Sequence, residues 1–146
     1  MKKRIIISII FALAVQPMFG NYAFYKKVRN TCDTYRIKVA DKNMHIDGDT
    51  FTIELESMRN NFEMVMLVGF AAAGQAIIHQ KELANSKSNF HPVLPAQIEV
   101  VVNVPVGREN TLISGLASSS MVEKLAIGSL EASEFMRQIK DSITSL

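Results

Sequence analysis

The chain has no tryptophan and one cysteine, Cys32, among its 146 residues. A single cysteine cannot form an internal disulfide. Cys32 either pairs with another chain or stays buried as a small apolar side chain. The motifs that announce common chemistries are missing as well. There is no glycine-rich phosphate loop, no Cys-x-x-Cys, no His-Glu-x-x-His and no Gly-x-Ser-x-Gly. Signatures of phosphate-loop, disulfide-exchange, zinc-protease and serine-hydrolase chemistry are therefore absent. No Lys/Arg stripe appears, so the electrostatic footprint of a nucleic-acid binder is missing too.

Apolar residues are abundant: 48% of the chain is hydrophobic and 21% charged, the balance of a folded globular protein. Eight methionines point to an adaptable core or an apolar contact surface. The N-terminus reads "MKKR", then the apolar run Ile5 to Val15, then Pro17, with small residues at Gly20 and Ala23. That order, charged then apolar then small, is the layout of a secretory signal peptide. The run is shorter than the roughly 20 residues that span a bilayer. The expectation is a signal peptide at 1–23 and one exported domain at 24–146, periplasmic or secreted. The alternative is an uncleaved anchor reaching to Phe24, the one route to a membrane. Lys2, Lys3 and Arg4 belong to the signal, and residues 1–20 hold no acid. The remainder carries 13 basic and 14 acidic residues, so the chain's net positive charge resides in the signal.

Periodicity predicts the elements. Phe24, Val28, Cys32 and Tyr35 fall on one face of a short helix. "YRIKV" (35–39) and "TFTIEL" (50–55) alternate like half-buried strands, with "HIDGDT" between them. Asp-Gly between alternating runs suggests a type I′ hairpin, with a bulge near Lys42. The same segment, Asn43 to Glu54, partly resembles a calcium loop: Asp47, Gly48 and Glu54 fall at loop positions 5, 6 and 12. However, asparagine stands at position 1 and His45 at position 3. The flanks alternate like strands where a calcium hand needs helices. The hairpin is the preferred reading.

A helix is expected over 58–84. It should be capped by Asn60 with Glu63, or from Ser57, and apolar on nearly every face from Met64 to Ile78. Its "GFAAAG" run offers small residues at Gly69, Ala72, Ala73 and Ala76 for close packing on the sheet, or else for helix dimerisation. A proline-bearing connector follows, and then "QIEVVVNVPV", the clearest strand signal in the chain. Pro105 belongs at the end or edge of that strand. "VGREN" is a turn and "TLISGLA" a weaker strand. The C-terminal part is helical, with a Ser120/Glu123 capping box, a break at Gly128, and an apolar stripe of Val122, Leu125, Ala126, Met136, Ile139 and Ile143.

Together these predict an α+β fold. Two β-hairpins form one mostly antiparallel sheet, with a long buried central helix and a C-terminal helix. A duplicated ββα unit is one option, since an offset of 61 residues aligns Ile37 with Ile98 and Thr50 with Thr111. No catalytic, cofactor or metal site is expected. His45, His79 and His91 share no ligand spacing, and Glu131 with Glu134 reads as an exposed helix face. The functional expectation is an exported, non-catalytic binding or assembly module of the cell envelope. It would meet an envelope protein or an apolar ligand, and homo-oligomerisation stays open. The alternative is a small thiol-dependent or hydrolytic enzyme using Cys32 with a histidine.

Overall fold

The structure, a computed structural model, describes residues 21–146. Residues 1–20, most of the signal peptide expected at 1–23, lie outside the described residues. Positions 21–23 are helical and run directly into the helix that holds Phe24.

Helix α1 covers 21–34. A 3₁₀ turn at Asp41–Asn43 leads into β1 (Met44–Asp47) and β2 (Thr50–Glu56). The long helix α2 (Phe62–Ser86) crosses to β3 (Gln97–Val106), which turns into β4 (Glu109–Ser118). Two short helices follow, α3 (Ser119–Ala126) and α4 (Ala132–Ile139), then a 3₁₀ turn and the two-residue strand β5 (Thr144–Ser145). The five strands form one sheet in chain order. β1/β2, β3/β4 and β4/β5 are antiparallel, and the two hairpins join through the parallel pair β2/β3. The expected α+β architecture is present, with α2 as its central helix.

Both hairpins turn on a glycine in the first of two loop positions. Gly48 has φ of 57° and Gly107 φ of 65°. The pairs Asp47↔Thr50 and Val106↔Glu109 close the two loops. Asp49 and Arg108 do not share the positive φ. These are therefore glycine-first turns of the II′ pattern, and the expected I′ turn on Asp47-Gly48 shifts by one residue.

The "YRIKV" strand is a correction. Residues 37–40 are irregular, and β1 begins at Met44. The Ile37 N–H donates to Cys32 O (3.0 Å) and the Arg36 N–H to Asp33 O (2.9 Å). These are the paired bonds of a Schellman cap ending α1, with Arg36 in its left-handed position at φ 61°. Ile37 and Cys32 are both buried, the apolar contact that accompanies such a cap. A left-handed conformation costs a residue with a Cβ about 1–2 kcal/mol. Arg36→Gly is therefore expected to stabilise the fold by about 1 kcal/mol, raising the denaturant midpoint at unchanged slope. An unchanged or lower midpoint would show that Arg36 is not strained. The cap also breaks the proposed duplication. The 61-residue offset aligns Ile37 and Val39, outside the sheet, with Ile98 and Val100 inside β3.

The helices lie on one face of the sheet. Phe24 of α1 meets Phe51 of β2 with ring centroids 4.9 Å apart. Phe70 of α2 meets Phe135 of α4 at 5.1 Å. Beneath them Phe51, Ile53, Leu55, Ile98, Val100 and Val102 are all buried. Apolar surface removed from water at this scale drives folding. α2 is buried on most of its circumference because the sheet lies under it and other helices lie beside it. By length and composition α2 could cross a membrane, but more than half of its most apolar window is buried inside the fold. Its small residues serve that packing. A Cβ on Gly74 would stand 2.1 Å from Val122 O of α3, and one on Gly69 would stand 2.8 Å from Val100 Cγ1.

The remaining caps differ from expectation in detail. The cap of α3 is Ser118, whose Oγ accepts from the Met121 N–H (3.3 Å), where Ser120 was expected. α2 starts at Phe62, and Asn61 Oδ1 accepts from the Met58 N–H (2.7 Å), so it caps the preceding turn. Gly128 ends α3 as expected, with φ of 80°. Pro105 lies beyond the last β2/β3 pair, Glu56↔Asn103, where β2 no longer needs a donor from it.

Candidate functional site

Cys32 stands on α1 in line with Phe24 and Val28, and all three are fully buried. Burial, then the charge of Asp33, raises its thiol from 9.0 to about 11. A thiol held neutral is a poor nucleophile, because the thiolate is the reactive form. No hydrogen bond joins it to a histidine among the described residues. His45 is exposed on β1, His79 is half-buried on α2, and His91 is exposed in the α2–β3 connector. Among the described residues no group of three His, Cys, Asp or Glu side chains could hold a metal ion. The Asn43–Glu54 segment is a turn, β1, the Gly48 loop and most of β2, so the flanking helices of a calcium hand are missing.

Because the Cys32 pKa is raised in the fold, stability from the neutral thiol is complete below pH 9 and is lost as pH climbs through about 11. At pH 10 the wild type is expected to have lost about 1 kcal/mol relative to Cys32→Ala. Alkylation at pH 8 should be slow until denaturant is added. Rapid labelling of the folded protein would place the thiol at the surface.

Glu131 is exposed, as expected, and Glu134 is half-buried. Glu134 accepts two hydrogen bonds from the Arg137 guanidinium (2.6 and 2.9 Å) and one from Gln138 (3.0 Å), which hold its carboxyl down at about 2. This is an ion pair along a helix.

Two surfaces remain. The first is a cleft of about 400 Å³ at the carboxyl end of β2, where the chain leaves the sheet for α2. In sheets with parallel strands, ligands commonly bind outside such carboxyl ends. Ile37 and Val65 line its wall and Met58, Met64 and Tyr35 its rim, with Arg36, Lys38 and Glu56 around it. Met58 is 68% exposed, Tyr35 56% and Met64 48%. Of the apolar residues in α2 and the connector after it, Met66 and Phe70 are buried, whereas Met64 and Leu94 are exposed. Met58 and Tyr35 escaped the sequence reading. Tyr35 was placed inside the α1 stripe, and the cap at Arg36 turns it outward.

The second surface is the open face of the sheet, which no described helix covers. Glu99 lies on it, and its carboxylate accepts from Ser114 Oγ (2.7 Å) and Thr52 Oγ1 (3.3 Å), linking β2, β3 and β4. Asn103 Nδ2 donates to Glu56 (3.3 Å), and its enclosed Oδ1 has no hydrogen-bond partner among the described residues. On the helical side, buried Gln80 accepts from the Val93 N–H (2.9 Å) and pins the connector to α2. No family model, curated protein or solved structure matches this chain.

Proposed function

We propose that the protein is an exported, non-catalytic binding or assembly module of the cell envelope. Its contact surface includes the cleft at the carboxyl end of β2. The observation that carries this reading is the exposure of Met58, Met64 and Tyr35 around one concavity. Exposed apolar groups gathered in one patch mark interaction sites more often than scattered ones do. Methionine also adapts to ligands of varied shape. An envelope protein or an apolar small molecule fits that chemistry. The N-terminal pattern supports export, and processing after Gly20 would keep all the described residues of α1. The intact mass of the exported protein checks this step, and a chain still starting at Met1 would revive the anchor.

The double substitution Met58→Lys/Met64→Lys tests the cleft. Both side chains are exposed, so the melting temperature should stay close to wild type. Binding of a fluorescent dye for apolar surface should fall by more than half. Undiminished dye binding in the folded variant would remove the cleft from the account. The enzyme alternative rests on Cys32, whose burial and raised pKa argue against it.

A further inference from the structure

The open sheet face divides by chemistry. Its β1–β2 half bears Asp47, Glu54 and Glu56, with Glu99 next to them on β3. Its β3–β4 half bears Leu112 and Leu116 on one strand, with buried Val101 and the polar Asn103 and Ser114 beside them. The registers set these side by side: Glu99 is opposite Leu116, and Glu54 is opposite Val101. None of the five strands contains a lysine or arginine. None of these four carboxylates forms an ion pair with a described residue. The nearest cations are at the margin. Lys38 and Lys42 share a shallow cleft with Glu54 and Glu56, and Lys38 is paired with Asp33.

We infer that this face docks a cationic amphipathic helix from a partner protein. The claim rests on the binding-module reading and names the chemistry of one partner at a second surface. The dimensions suit a helix. Strands are spaced about 4.8 Å apart, so β2, β3 and β4, which carry the glutamates and leucines, together span one helix diameter, about 10 Å. Leu112 and Leu116 stand about 13 Å apart along β4, about two and a half helical turns. Such a helix sets its apolar stripe on Leu112 and Leu116, over buried Val101, and its lysines or arginines over Glu54, Glu56 and Glu99. A second copy placed sheet to sheet would oppose two acidic faces and is disfavoured.

The probe is a labelled Leu/Lys amphipathic peptide of about 18 residues, long enough for five turns, with a Leu/Glu twin as control. Fluorescence anisotropy with the full chain should show binding of the Leu/Lys peptide alone. Glu54→Gln/Glu56→Gln should weaken it about tenfold, as lost charge complementarity implies. Leu116→Gln should also weaken it, and circular dichroism confirms that each variant is folded. Absence of Leu/Lys binding, equal binding of the twin, or full affinity in the folded glutamine variant overturns the inference. Because the dye assay reads the Met58–Met64 cleft, loss of the peptide result alone leaves the binding-module reading standing.

Discussion

Gly74→Ala is expected to destabilise the protein by about 3 kcal/mol, at the upper end of overpacking costs. The added methyl would meet the Val122 carbonyl oxygen at 2.1 Å, its carbon at 2.7 Å and Ala126 Cβ at 2.9 Å. A backbone carbonyl cannot rotate away as a side chain can, so α2 and α3 must separate. The helix-propensity gain of about 1 kcal/mol only partly offsets this. Gly69→Ala is the comparison. Its new methyl meets the ends of Val100 and Leu55 side chains, which have rotamers to use. Denaturant unfolding should rank Gly74→Ala as clearly the worse of the two. Equal costs would show that the α2/α3 approach is not as close as described.

Phe70→Ala is expected to cost about 3–5 kcal/mol, the range for a fully buried phenylalanine. Phe70 is 0% exposed, stacks edge-on against Phe135, and stands close to where a side chain on Gly115 would project. The position ties α2, α4 and β4 into one core. Leu67, on the same helix but half-buried, should cost much less when truncated. A double-mutant cycle on Phe70 and Phe135 should return a coupling of about 1 kcal/mol. Similar losses at Leu67 and Phe70 in thermal melts would mean that α2 does not face the sheet as drawn.

Much of this core was readable from spacing. Alternation in "TFTIEL" and "QIEVVVNVPV" marks β2 and β3, and the all-round apolar run marks α2, because a helix buried on most sides needs no polar face. Other features were not readable. The Tyr35–Val39 alternation looked like a strand, but a Schellman cap with arginine in place of glycine overrode it. The sequence holds no glycine there to announce the cap. Phe135 was missed as the anchor of α4 because the C-terminal stripe was drawn through Met136. The parallel joining of the hairpins was also hidden, since pairing between distant strands leaves no local trace.

The candidate surfaces were less legible still. Met64 was visible at the start of the all-round apolar run. Met58 joins it only because α2 begins at Phe62, not at 58. The acidic half of the open face draws on strands separated by the whole of α2, so Glu54 and Glu99 become neighbours only in the folded sheet.

Site-specific photo-crosslinking in the producing cell tests the binding reading most directly. A photoreactive residue at position 58 reports on the cleft. One at position 82, exposed on α2 away from it, is the control. The account predicts a discrete crosslinked species from position 58 in the envelope fraction and none from position 82. An uncrosslinked, correctly exported chain from both positions would contradict it.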